Sequence, residues 1–488
     1  AEIEPHHVEP ALDALLAENR AQIKKLATQS NRADWKNFAV PLVLIEERLD
    51  RLWATVSHLN AVCDSEDLRR AYEVALEKWT TYQTEGGQNR DLFAGFKRIN
   101  ESGELDRLDL AKQKTASNAI RDFRLGGVEL EGIARQRFAE IATELAAFSN
   151  RFEQNLLDAT DGWHLDLTAE PDLEGLPESA RALARQTAEL AGIEGWRFTL
   201  QAPAFIPFMM FSSRRELRRE MYHAYVTRAS DCGPNAGRWD NSVVMDRILE
   251  LRSEQATLLG YDQYVDYALV TRMATTSANV QMFLDDLVDR TRSHARKDFD
   301  ELAKFIAQEA SDTEFEVWDL PYWSERLRQS RYQFSQEEVR PYFPLPRVLE
   351  GMFEVVRQLF GIVVRRAVAT PQVWHPDAMF FEILDDAATV RGQFYLDAYA
   401  RTNKRGGAWM ADCIGRYRKP DGSLQTPVAL LTCNFSPPVA DKPSLLTHED
   451  VLTLFHEFGH GLHPMLTKVD EPAVAGINGV PWDAVELP

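Results

Sequence analysis

Cysteine is scarce, at four residues in 488: Cys63, Cys232, Cys413 and Cys433. No two of them have the C-x-x-C spacing, so the sequence reads as four reduced thiols in a cytoplasmic protein. Positive charge is also short, with 55 Lys and Arg against 75 Asp and Glu, a net charge of -20. That balance argues against nucleic-acid binding, which favours a basic surface. No apolar run approaches the ~20 residues that a membrane helix needs, and no signal peptide opens the sequence. The first residue is Ala and not Met, as a trimmed start would leave it. Internal repeats and low-complexity segments are absent. What is present is 44% hydrophobic residues, enough for one large core or several.

The first third, from Val8 to about Thr160, is patterned as helix after helix. Leu12, Leu15, Leu16, Ile23 and Leu26 make one apolar stripe at helical spacing, and Ile133 to Phe152 carries another. After Asp161 the texture changes. Trp163–Leu167 and Trp196–Leu200 alternate as strands do, and helices are expected over 214–226, 243–259, 280–307 and 348–360. Residues 380–384, 392–397 and 428–435 read as strands. The last is a continuous apolar run ended by Ser436-Pro437-Pro438.

The most informative stretch follows: His456-Glu457-Phe458-Gly459-His460, an H-E-x-x-H. On a helix, residues four apart share a face, so both imidazoles can converge on one metal ion. Glu457 points about 100° away, towards where water on such an ion would sit. Two histidines with a carboxylate base are the layout of a zinc peptidase. Thr447 and Asp450 form a T-x-x-D capping signal that predicts a helix from about Thr447. Leu452, Phe455, Gly459 and Leu462 are spaced to seat it in a core. A third protein ligand is needed. The metzincin pattern would require Gly at 463 and His at 466, where the chain has His463 and Leu466. A carboxylate from another segment remains, with Asp470, Glu471, Asp483 and Glu486 downstream; the first two sit close behind the helix end.

Phe455–His463, followed by Gly479-Val480-Pro481-Trp482-Asp483-Ala484-Val485-Glu486-Leu487-Pro488, resembles the thimet-oligopeptidase family of zinc peptidases. Further matches are Ile3–Val8, Ala224–Ser230, Tyr322–Leu327 and Lys404–Met410. The W-D-A-V-E-L-P stretch resembles the oligopeptidase A branch more than the dipeptidyl carboxypeptidases. The resemblance implies a mainly α, two-lobed, zincin-like fold with a small β-sheet beside the zinc helix and a deep substrate channel. Residues 1–157 and 346–488 would form the zinc-bearing lobe, and 158–345 much of the other.

The resemblance also implies one Zn²⁺ per chain held by His456, His460 and Glu486, with Glu457 as general base. Asp483, three residues before Glu486, is a candidate partner for a ligating histidine's second N–H. Leu431, Thr432, Cys433 and Asn434 are candidates for a strand edge that holds an extended peptide by main-chain hydrogen bonds. Lys404-Arg405-Gly406-Gly407 with Trp409 reads as a structural turn. The activity expected is endopeptidase cleavage of short unfolded peptides by a monomer in the cytoplasm. The alternatives are release of C-terminal dipeptides, or a catalytically weak peptide-binding fragment. In the family the motif continues past the position of Pro488 into a segment that stabilises the tetrahedral intermediate. That segment is therefore the further partner expected for these 488 residues.

Overall fold

The computed structural model describes residues 3–310, 314–368 and 371–487; Pro488, the last residue of the W-D-A-V-E-L-P stretch, lies outside them. The chain begins with α1 (Pro5–Ala27), α2 (Val40–Val62), α3 (Glu66–Gly87), α4 (Arg90–Glu101), α5 (Leu110–Leu125) and α6 (Gly132–Asp161). The stripe expected on α1 is real: Leu12, Leu16, Ile23 and Leu26 join Leu49 and Val56 of α2 and Phe96 and Ile99 of α4 in one core. Removing such side chains from water is the main stabilising term, at roughly 25 cal/mol per Å².

A second core lies further along. Strands β1 (His164–Leu167) and β2 (Trp196–Thr199) pair antiparallel, with α7 (Glu178–Leu190) between them. Leu165, Leu167, Trp196 and Phe198 point inward against Phe208 and Met209 of α8 (Ala202–Phe211) and Met221 of α9 (Arg215–Val226). Then come α10 (Ser242–Leu258), α11 (Tyr264–Leu269), α12 (Ser277–Glu309), α13 (Leu320–Tyr332) and α14 (Gln336–Val339). Asp319 at the start of α13 is fully buried, and Arg215 and Arg218 both bond its carboxylate.

The third core holds the sheet. After α15 (Leu345–Phe360) come β3 (Val363–Arg366), β4 (Met379–Leu384), β5 (Val390–Tyr399), β6 (Trp409–Ile414), β7 (Tyr417–Arg418), β8 (Leu424–Gln425), β9 (Val428–Phe435) and α16 (His448–Leu466). The spatial order is β3-β4-β5-β9-β6, with β5 and β9 parallel and the other pairs antiparallel. This order corrects one expectation. Leu431, Thr432, Cys433 and Asn434 belong to β9, which runs inside the sheet between β5 and β6 and offers no free edge. Leu431, Thr432 and Cys433 are buried, and the Asn434 amide donates to the carbonyls of Arg405 and Gly407. A strand apolar on both faces is one covered on both faces. The free edge beside β9 belongs to β6, in the stretch read from sequence as a structural turn and its sequel.

Helix α16 lies on β5 and β9 through small residues. A Cβ at Gly392 of β5 would stand 2.7 Å from Met465 Cβ, and one at Gly461 would stand 3.0 Å from Leu431 Cδ2. Helix and sheet therefore approach more closely than a side chain at Gly392 would allow, and one at Gly461 would need Leu431 to shift.

The N-terminal helices reach this sheet through α2. His58 is buried edge-on to Trp374, ring centroids 4.2 Å apart, and among the described residues neither of its ring nitrogens has a hydrogen-bond partner. Burial holds its pKa down to about 4; Asp397 opposes that shift, while Lys404 and Arg401 add to it. In the unfolded chain the ring titrates near 6.5. Between those values the unfolded state binds more protons, so the stability linked to a neutral His58 is complete above pH ~6.5 and is lost as pH falls towards 4. A shift of this size corresponds to roughly 3 kcal/mol. His58→Phe should flatten the fall in urea-unfolding stability between pH 6.5 and 4, leaving the acid loss below pH 4 in place. An unchanged slope would assign that loss to other groups.

Candidate metal centre

The capping signal forms as expected. Thr447 Oγ1 accepts the Asp450 N–H at 3.1 Å, and the Asp450 carboxylate accepts the Thr447 N–H at 2.9 Å. Two orphan donors of the helix start are thereby satisfied. From there the 100° step per residue sorts the side chains. Leu454, Phe458, Gly461 and Met465 face the sheet and are buried. Leu452 and Phe455 are instead exposed, so the inward stripe is offset from the one read in the sequence. A helix laid on one sheet buries one side only, and its apolar residues here occupy more than that side.

His456 and His460 project from the side away from the sheet. Their Nε2 atoms are 3.1 Å apart. Glu486, carried beyond the short turn Trp482–Ala484, brings Oε2 to 3.1 Å from His456 Nε2 and 3.2 Å from His460 Nε2. Three donor atoms thus form a nearly equilateral triangle. A tetrahedron with metal–ligand bonds of ~2.0 Å has edges of ~3.3 Å, so the triangle matches one face of a zinc-sized coordination shell. Hydrogen bonds alone fit it poorly. Each Nε2 carries at most one hydrogen, directed along one line, and cannot satisfy all three edges. The donor set therefore suits a small divalent cation with one position left for water or substrate. Among the described residues, these are the only three His, Cys, Asp or Glu side chains that converge in this way.

Glu457 sits at the border between the ligand side and the core. Only 6% of its surface is exposed, and Oε2 is buried with no hydrogen-bond partner among the described residues. Burial raises its pKa above the usual carboxylate value; His456 and His460 pull it down, and Glu486 pushes it up. His463, half-buried one turn beyond His460, is not part of the triangle, and burial lowers its pKa.

Asp483 does not serve as the partner of a histidine. Its Oδ1 accepts the Met273 N–H and its Oδ2 the Ala274 N–H, both at 2.9 Å, in the loop between α11 and α12. Those two amides hold its pKa below the usual value. The carboxylate ties down the turn that presents Glu486, a role not visible without the fold. Asp470 and Glu471 are likewise spoken for: Asp470 pairs with Arg416 and Arg418, and Glu471 lies 3.7 Å from Lys112.

The edge strand β6 is the element that sequence reasoning missed. Its residues Trp409, Met410, Ala411 and Asp412 stand opposite Thr432, Leu431, Leu430 and Ala429 of β9, and α16 packs on the same sheet. A cavity of about 1780 Å³ opens between α2, α4, α5 and the far end of β6, where Asp412, Cys413 and Ile414 line it. The three donor atoms lie outside that lining, and His456 and Glu486 are exposed.

Residues 208–488 match the family described as Peptidase family M3, and residues 12–135 match the Neurolysin/Thimet oligopeptidase N-terminal domain. Oligopeptidase A of Haemophilus influenzae is 47% identical over 490 residues, an alignment covering 100% of this chain and 71% of that protein. Oligopeptidase A of Escherichia coli is 46% identical, with 100% and 72% covered. Dipeptidyl carboxypeptidase of Escherichia coli is 29% identical, with 100% and 70% covered.

The geometry separates the ligands from their support. His460→Ala should abolish stoichiometric retention of a divalent metal during dialysis against chelator. Asp483→Ala, which frees the Glu486 turn but keeps all three donors, should weaken retention by about 10–100-fold. Elemental analysis over a chelator series reads both, and wild-type retention in Asp483→Ala would remove the support role.

Proposed function

Since the chain belongs to Peptidase family M3 and is a metallo-oligopeptidase, we propose that it cleaves internal bonds of short unfolded peptides using one Zn²⁺ held by His456, His460 and Glu486. The observation that carries this reading is the triangle of donors 3.1–3.2 Å apart beside an unpartnered buried carboxylate. When bound, zinc supplies Lewis acidity for the carbonyl and brings the pKa of a water ligand to ~7.

The rest is the work of the chain. Glu457 is the general base: its orphaned Oε2 has room for a proton, and its burial makes that proton easier to hold. The same carboxyl then delivers the proton to the departing amine. Seating on the helix fixes it beside the metal ligands without side-chain searching, which is where much of the rate advantage of an enzyme arises. The free edge of β6 holds the peptide, since main-chain pairing accepts any side-chain sequence. That combination suits a peptidase that selects extended chains over particular residues.

The endopeptidase reading is supported by 46–47% identity to two proteins named oligopeptidase A, against 29% to one named dipeptidyl carboxypeptidase. Action in the cytoplasm is supported by four unpaired cysteines. Among the described residues, no helix is long and apolar enough to cross a membrane.

Glu457→Gln should keep the fold and the metal but lose about 10²–10⁴-fold or more in kcat, because the amide keeps the shape and removes the base. Near-normal turnover in the metal-loaded variant would refute the assignment. Mass spectrometry of products from peptides of increasing length should show internal cuts. Exclusive release of C-terminal dipeptides would replace the endopeptidase reading with the dipeptidyl carboxypeptidase one.

A further inference from the structure

We propose that Lys404 and Asn434 are positioning residues for the peptide: together they fix the turn that launches β6, and so set where its free edge lies. The proposal rests on the reading of β6 as the peptide-binding edge.

Nine residues separate the Tyr399 end of β5 from the Trp409 start of β6, and β9 lies between the two strands. The connection must therefore pass over the end of β9 and set β6 down in register on its far side. Lys404 sits at the centre of that crossing. Its side chain is wholly buried, and Nζ donates to Asp397 Oδ1, the Tyr399 carbonyl and the Cys433 carbonyl, each at 2.7 Å, with the Asp397 carbonyl at 3.2 Å. An ammonium has three N–H groups, so all of them are used. The acceptors belong to the final residues of β5, from which the crossing departs, and of β9, over which it passes.

The counter-charge is equally constrained. The buried Asp397 carboxylate accepts from Trp374 Nε1 at 2.8 Å and from both terminal nitrogens of Arg401 at 2.7 Å. Asn434, the last residue but one of β9, reaches across to donate twice, to the carbonyls of Arg405 and Gly407. Gly407 has φ +92°, a conformation that side chains disfavour, and two residues later β6 begins. On its other side the crossing is bonded to the N-terminal helices: Arg405 N–H to the Ala61 carbonyl, Asp64 N–H to the Asn403 carbonyl, and Asn403 N–H to the Asp161 carboxylate.

Stability alone does not call for this arrangement. Burying an ion pair costs about as much as the pair returns, and apolar replacements of similar volume are often neutral or better. What directed bonds give is position. Pairing with a peptide strand requires the β6 amides and carbonyls to be correctly placed, and an error near 1 Å can cost 10²-fold. Among the described residues no hydrogen bond joins Lys404 or Asn434 to His456, His460 or Glu486, so the effect expected of them is on binding.

The experiment compares Asn434→Ala and Lys404→Met with the unsubstituted protein on quenched peptides of about five and about ten residues, the longer ones running further along the strand at ~3.3 Å per residue. Asn434→Ala leaves no buried charge unpaired, so it carries the test if Lys404→Met does not fold. We expect KM for the longer peptides to rise about tenfold, kcat to stay within about twofold, and metal content to be unchanged. An unchanged KM, or a fall in kcat equal for short and long peptides, overturns the positioning role. The β6 reading is examined separately in the unsubstituted protein by methylating successive peptide nitrogens of the substrate. Losses at alternate residues support strand pairing, and a flat response removes it whatever the variants do.

Discussion

The seating of α16 on β5 and β9 governs the rest of the catalytic region. Because a helix turns 100° per residue, the contact made by Leu454, Phe458, Gly461 and Met465 dictates where every other side chain points. His456 and His460 are carried to the opposite side, and Glu457 is left at the boundary, sheltered by the core yet adjacent to both ligands. The close approach at Gly392 and Gly461 removes slack from that contact. A helix free to roll by even part of a turn would move His456, His460 and Glu457 together, but it would change their relation to the strand on which substrate is proposed to lie.

Much of this was legible in the chain, for identifiable reasons. A capping box and an H-E-x-x-H are local patterns, complete within a few residues, and Thr447 to His460 folds as its sequence states. Strands such as 428–435 announce themselves by unbroken apolarity. The reading failed where the sequence gives a type of residue but not its neighbour. The apolarity of Leu431–Cys433 already described a strand covered on both faces, and the structure buries it between two others. Trp409–Ile414 mixes apolar with polar residues behind two glycines, so the true edge looked like the end of a loop. Leu452 and Phe455 were misplaced because an amphipathic pattern wider than the contact does not say which part of it is used.

Polar residues were harder still. From sequence, Asp483 and a ligating histidine make a reasonable pair three residues upstream of Glu486. Its actual partners are backbone amides some 210 positions away in the chain. Lys404 could be matched to a family pattern but not to a function. Its acceptors belong to strand ends that come together only once the sheet exists. Short-range patterns thus pointed to side chains that do converge, His456, His460 and Glu486, while the groups that hold them in place depended on tertiary contacts.

One consequence follows from the Asp483 contact. The triangle of donors is built from two sources: a rigid helix supplies two corners, and the third rides on a short turn fastened to the loop ahead of α12. Ion occupancy and the ordering of that loop are therefore thermodynamically linked. Whatever free energy the fastened loop contributes to holding the ion, the ion returns in equal measure to the loop, since such coupling is reciprocal. A metal held by these three donors would be a tether between helices, and its removal would slacken the start of α12 at Met273 and Ala274, far along the chain from the histidines.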